Sequence, residues 1–223
     1  MTTYIQKTLT VLAMMSISIF SSSTMAYMQP ALKDTDPAYV IQTTLDKIAT
    51  FSSNSDRANP VELRVFIEKQ IIPHFDFNNM AHWITGPYAH NMTEKDKTDF
   101  KRSLRETFLS SLAKHLGSYD AENTRFRIFP ARFRGPDEAF VSTTVYRTDT
   151  PPVRLDFRMR RDGEGPNAAW KIIDVKANGS SAVLYYRRHF MSQLRQYRNP
   201  YPAPANLARP APFPYRQGTG NYH

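Results

Sequence analysis

The side chains best suited to catalysis are three histidines, His74, His82 and His90, which stand eight residues apart. This is not the ligand spacing of a His-Glu-x-x-His zinc motif, and the chain has no cysteine to complete another metal site. The best acid–base candidates are His74 beside Asp76 and His82 beside Trp83. No serine stands in a Gly-x-Ser-x-Gly nucleophile motif. These residues predict a protein that is not an enzyme and needs no metal or cofactor.

The N-terminus has the pattern of a secretory signal peptide. Lys7 is the only charge before an apolar run at residues 9–20, which is shorter than the roughly 20 apolar residues of a membrane-spanning helix. Thr24, Met25 and Ala26 then form a small-x-small processing site. We expect residues 1–26 to be removed. Because no cysteine can carry a lipid anchor, we expect the mature chain to be free in the periplasm.

The charge balance narrows the class of partner. The formal net charge is +9, and a basic surface favours either nucleic acid or anionic lipid. Export from the cytoplasm makes nucleic acid the less favoured of these two candidate partners. The sequence therefore predicts contact with phosphate-bearing lipid or a membrane surface.

The first half of the chain shows the pattern of successive helices. Asp36 and Asn59 each precede a proline, which places a capping residue before the first helical position. A short helix is predicted at residues 77–83, before a Gly-Pro break. Thr93 with Asp96 forms a capping box. It opens the clearest helix, whose apolar residues recur every four positions: Phe100, Leu104, Phe108, Leu112 and Leu116.

From residue 125 the apolar period changes to two, which predicts strands at 125–130, 138–147, 153–161 and 169–175. Short turns between them favour an antiparallel meander. The third strand alternates most cleanly, with Val153, Leu155, Phe157 and Met159 on one face and Arg154, Asp156, Arg158 and Arg160 on the other. A closing helix is predicted at 180–197. The fold class is thus α+β, with a helical N-terminal half, a four-stranded antiparallel sheet and a C-terminal helix.

The end of the chain differs in composition from the rest. Residues 200–223 carry six prolines among aromatic side chains, and proline interrupts both helices and central strands. We expect a disordered or polyproline-like tail. The predicted organisation is a signal peptide at 1–26, one folded domain at 27–199 and the tail.

Several stretches occur in a characteristic order along the chain: RANP (57–60), IIPHFD (71–76), Gly86, PPVRLDF (151–157), WKIIDV (170–175), Gly179-Ser180 and YRRHF (186–190). In this order they resemble the MlaC family of periplasmic lipid carriers, also called toluene-tolerance or auxiliary-transport proteins. The resemblance covers about residues 37–198. The family commonly has an acidic residue where Asn178 stands, and the proline-rich tail is not a general family feature.

The resemblance implies a hydrophobic cavity between the sheet and the helices, which holds a phospholipid by its acyl chains as cargo. Flexible or flat side chains would line the part that receives the tails: Met80, Trp83, Phe100, Leu104, Phe108, Phe126, Phe140, Val153, Leu155, Phe157 and Met159. Arginine and tyrosine would hold the head group at the mouth, the candidates being Tyr146, Arg147, Arg154, Tyr186 and Arg187.

The resemblance also implies partners. A carrier of this family would act as a monomer, shuttling phospholipid between an inner-membrane ABC-transporter complex and an outer-membrane lipoprotein complex, with no nucleic-acid partner. The alternative is an exported hydrolase or small-molecule-binding enzyme on an α+β scaffold, which would use His74 beside Asp76 or His82 near Trp83 as its acid–base residue.

Overall fold

The computed structural model describes residues 35–54, 59–117, 119–148, 150–163 and 168–196, and both the expected signal peptide and the proline-rich tail lie outside these ranges. Five α-helices occur in the described chain: α1 (Pro37–Asn54), α2 (Pro60–Phe66), α3 (Phe77–Thr85), α4 (Glu94–Leu116) and α5 (Ala182–Gln196). None of the described helices is long and apolar enough to cross a bilayer.

The helix starts predicted from the sequence are confirmed at the level of hydrogen bonds. The Asp36 carboxylate accepts the backbone N–H of Ala38 at 2.8 Å, and the Asn59 side chain accepts the backbone N–H of Val61 at 3.1 Å. At α4 both bonds of the Thr93–Asp96 capping box are present. Each cap supplies a partner to backbone donors that the first helical turn leaves unpaired.

Two breaks separate the first helices, and both follow local chemistry. After α2 the chain continues as a π-helical turn (Ile67–Ile71) and a 3-10 turn (Ile72–His74) that contains Pro73. After α3 it turns at Gly86, where φ is +54° and a side chain would be strained, and forms a 3-10 helix (Gly86–Asn91). The sequence predicted the break at Gly86, but not the π-helical turn.

Six strands form one antiparallel sheet in the described chain: β1 (Thr124–Ile128), β2 (Arg132–Phe133), β3 (Glu138–Arg147), β4 (Thr150–Asp162), β5 (Ala169–Ala177) and β6 (Ser180–Ser181). The four long strands lie in the order β1-β3-β4-β5, so the predicted meander is confirmed. The two-residue strands β2 and β6 were not predicted. Asn178 and Gly179 connect β5 to β6 in a tight hairpin turn, and both have the positive φ that such turns favour.

Strand register defines two faces of the sheet. Val145 lies opposite Val153, and Val141 opposite Phe157, on the face that we call the inner face. Ser142 lies opposite Asp156, and Phe140 opposite Arg158, on the outer face. The predicted alternation of β4 is therefore confirmed, with its apolar residues inside and its charged residues outside.

The core lies between the inner face and the helices. Helix α1 packs against β1 and β3, and its buried Ile41 belongs to the same apolar cluster as Val141 and Phe157. Helices α3 and α5 pack against each other and against β5. The buried Asp174 carboxylate accepts the Ser181 hydroxyl at 2.7 Å and the backbone N–H of Val183 at 3.1 Å, which ties the start of α5 to the sheet.

Candidate functional site

Burial of the inner face changes along the strands. At one end, which we call the closed end, Ala139, Val141 and Met159 are fully buried. At the other, the open end, the apolar inner-face residues are only half-buried, although they continue the same face of the sheet: Phe126, Val145, Val153 and Leu155. The apolar residues at the open end are therefore covered incompletely by the described part of the protein, whereas the threonines on the same face there, Thr124 and Thr143, are buried.

Helix α4 leads to the open end. Its four-residue apolar row is buried at Phe100 and Leu104 and half-buried from Phe108 onward, although Leu109 beside this row is fully buried. Three residues past the end of α4, Tyr119 stacks on Phe126, with ring centroids 6.1 Å apart and planes 13° apart. Burial, together with the charge of Asp120, raises the pKa of the Tyr119 hydroxyl, which keeps this platform neutral.

The rim of the open end carries a cation. Arg147 lies opposite Thr124 on β1, in the row of inner-face residues that continues through Phe126. A register shift between Val145 and Arg147 interrupts the β3–β4 ladder there, and Arg147 is exposed. Its neighbour Tyr146, 40% exposed, lies opposite Arg125 and so faces outward. Of the two, Arg147 is placed to meet a polar group above the apolar surface.

The other three head-group candidates lie elsewhere, which corrects the expectation of one cluster. Arg154 is on the outer face, where it pairs with Asp156 at 3.0 Å and donates to the Ser142 hydroxyl. Tyr186 is 1% exposed, because it is on the buried face of α5. Arg187 donates to the backbone carbonyl of Trp83 at 3.3 Å and thereby joins α5 to α3.

The eleven residues expected to receive acyl tails fall into three groups. Five are solid core: Met80, Phe100, Leu104, Phe157 and Met159. Four are half-buried and packed near the inner face or α4: Phe108, Phe126, Val153 and Leu155. The remaining two lie outside, because Phe140 occupies an outer-face position of β3 and the 42% exposed Trp83 lies 5.0 Å from the Arg158 guanidinium, measured to the ring centroid.

The sequence did not identify two residues of the open end, Tyr119 and Val145. The period-two pattern was sufficient to place Val145 on the same face as Leu155 once the register was known, because directly opposed residues share a face. No local signal marks Tyr119, whose contact with Phe126 depends on where α4 ends.

A groove of about 550 Å³ lies between α1 on one side and the end of α2 with the π-helical turn on the other. Phe51 and Phe66 line it and stack with ring centroids 4.1 Å apart. Asp46, Lys47 and Gln70 also line it. None of the residues expected to receive acyl tails borders this groove.

The acid–base candidates are not assembled into a catalytic pair. The Asp76 carboxylate caps α3 by accepting the backbone N–H of Asn79 at 2.9 Å, and among the described residues no hydrogen bond joins it to His74. Burial, with the charges of Lys47 and Lys171, lowers the pKa of His74. His82 is exposed on α3. Within the described ranges, no group of three or more His, Asp or Glu side chains is arranged to hold a metal ion.

Comparison with known proteins relates this geometry to a family. A phospholipid-binding protein from Ralstonia solanacearum, solved in complex with a phospholipid, has a TM-score of 0.65 with this chain at 19% sequence identity. The match covers 77% of this chain and 93% of that one, which shows a shared fold. The family model described as MlaC protein matches residues 40–201, which include all the described helices from α2 onward and the whole sheet. Since that match spans well over half of the sequence, the chain belongs to the MlaC family.

Proposed function

We propose that this protein binds a phospholipid with its acyl chains against the open end of the inner face. The observation that carries the proposal is the set of half-buried apolar residues that continues a fully buried face: Phe126, Val145, Val153 and Leu155. Family membership supports it, and so does the solved relative with the same fold that was found with a phospholipid.

The energy of acyl-chain exposure explains why such a carrier is needed. Two chains of about 15 methylenes each, at about 0.8 kcal/mol per methylene, cost roughly 24 kcal/mol to expose to water. Free desorption across an aqueous space is therefore far too slow. An apolar surface inside a protein makes transfer from the membrane nearly neutral, because the chains exchange one dry environment for another.

The polar end of the lipid would lie at the rim. Arg147 is the candidate we favour for the phosphate, because it is exposed at the open end and a guanidinium can hold two phosphate oxygens at once. Tyr146 lies beside it in sequence and could contact a head group that reaches over the edge of β3. Arg154 already pairs with Asp156 and is the weaker candidate.

The carrier would work as a monomer in the periplasm, shuttling lipid between an inner-membrane ABC-transporter complex and an outer-membrane lipoprotein complex. The support for this route is the family and the export pattern of residues 1–26. Release into water is opposed by the same energy that holds the chains, so cargo transfer requires contact with a membrane or a membrane complex.

Native mass spectrometry of the protein purified from its own cells tests the proposal. We expect a mass increment of one glycerophospholipid per chain, and organic extraction should recover the same lipid. A protein that carries only its polypeptide mass after mild isolation would contradict lipid binding. A bound polar metabolite in its place would favour the enzyme alternative.

A further inference from the structure

The positive charge of the sheet is concentrated on its outer face. Register places Arg132 in one row with Phe140 and Arg158, and Arg127 in another with Thr144 and Arg154. A set of five exposed side chains on this face, which we call the arginine face, consists of Arg125, Arg127, Arg132, Arg154 and Arg160.

The nearby carboxylates are too few to neutralise this face. Asp156 pairs with Arg154, and Glu138 pairs with Arg158 at 2.7 Å. Burial opposes ionisation of Asp156, but hydrogen bonds from Ser142 and Arg154 and the charges of Arg154 and Arg132 outweigh it, so its pKa is lowered. Within the described chain, Arg125 and Arg132 form no ion pair. The arginine face therefore presents uncompensated positive charge to solvent.

The kind of cation indicates the chemistry of the partner. Between residues 124 and 162 the sequence has nine arginines and no lysine. A guanidinium is planar and weakly hydrated, and it binds phosphate through two parallel hydrogen bonds. The Arg127 guanidinium is held 5.0 Å from the centre of the Phe129 ring. Helix α4, by contrast, carries lysines and arginines in pairs with acids on its own surface.

Exposed aromatic side chains border the same face. Trp83 lies against Arg158 at one edge, and Tyr146 lies opposite Arg125 at another. Both are about 40% exposed. Aromatic rings with a polar tip settle at the head-group level of a bilayer, where one side meets hydrocarbon and the other meets water. An acidic protein partner would explain the charge but would not require this combination.

We propose that the arginine face is a docking surface for an anionic phospholipid bilayer, with Trp83 and Tyr146 entering the head-group layer. The surface is on the opposite side of the sheet from the inner face, so docking uses residues other than those that would contact the acyl chains. A basic residue near an anionic bilayer strengthens partitioning about five-fold, so removing three should weaken it about a hundred-fold.

Sedimentation with sucrose-loaded vesicles tests the docking. We expect wild-type protein to bind vesicles that contain phosphatidylglycerol and phosphatidylethanolamine, and not to bind phosphatidylcholine vesicles. The bound protein should dissociate from the vesicles as the salt concentration rises. The triple variant R125Q/R127Q/R132Q should lose about a hundred-fold in partitioning. The control K69Q/R102Q/K114Q removes the same charge from exposed helical positions and should lose no more than a few-fold.

Quenching of tryptophan fluorescence by brominated phosphatidylglycerol tests, in addition, which face of the protein meets the bilayer. The chain has two tryptophans, of which Trp170 is 6% exposed, so quenching reports Trp83 and should vanish in Trp83→Phe. Equal losses in the two triple variants would overturn the proposal, because net charge alone would then explain binding. Vesicle binding without Trp83 quenching, or binding only to an acidic protein, would also overturn it. Phospholipid content is measured on the same variants, so that a failure of vesicle docking can be distinguished from a failure of the proposed cargo binding.

Discussion

Leu155 offers the most direct test of where the acyl chains lie. It is on the inner face, opposite Thr143 on β3 and Ala177 on β5, and it is half-buried at the open end. Leu155→Glu should fold with the carboxylate turned into the open end, where water reaches it. The same change at Met159, which is 0% exposed at the closed end, should prevent folding.

The magnitudes separate stability from binding. Full burial of a leucine side chain contributes about 1.5–3 kcal/mol, so losing half of that at Leu155 costs about 0.8–1.5 kcal/mol, within a typical domain stability of about 5–15 kcal/mol. With an acyl chain in place, the carboxylate loses its water, at a cost of about 3 kcal/mol or more. Lipid affinity should therefore fall by about a hundred-fold or more.

The assay compares phospholipid content and Tm in three proteins. Leu155→Gln carries an uncharged amide of similar shape to the glutamate, and because its desolvation costs about 1–3 kcal/mol, it should lose about ten-fold in affinity. The expected order of lipid content is wild type, then Leu155→Gln, then Leu155→Glu, with nearly equal Tm for the two variants. Arg160→Gln on the outer face of the same strand is the control and should keep its lipid. Stoichiometric lipid in folded Leu155→Glu would refute the placement of the cargo.

Three further outcomes are expected. Gly86→Ala should lower the free energy of unfolding in urea by about 1–3 kcal/mol, because φ is +54° and the new Cβ would stand 3.0 Å from Arg187 Nη2. Gly135→Ala, at φ +73° with open space around it, is the control and should lower it less. Because the pKa of His74 is lowered in the folded protein, the unfolded chain takes up the proton first as pH falls. The free energy of unfolding is therefore unaffected by this group above the ordinary histidine pKa of 6.5 and declines below it. His74→Gln should flatten that decline between pH 7.5 and 5.5, and a steeper decline would contradict the assignment. A chain ending at Asn199 should match the full-length protein in Tm and lipid content, and a large fall in Tm would place the tail against the domain.

The sequence by itself determined most of the local structure. The caps at Asp36, Asn59 and Thr93 depend on side chains within three residues of the backbone groups they bond, so they could be identified without a fold. The alternation of β4 likewise follows from the geometry of one strand. The family resemblance added the expectation of a lipid site, and family membership is now shown.

Only the tertiary structure decided which apolar residues are solid core and which are accessible. Phe157 and Leu155 are identical in pattern, yet Phe157 is buried and Leu155 is half-buried, because coverage depends on where helices distant in sequence end. The same cause placed Tyr186 in the core and Arg154 in an ion pair on the outer face, although both had been expected at the mouth. Register between strands, which no single strand encodes, assembled the arginine face.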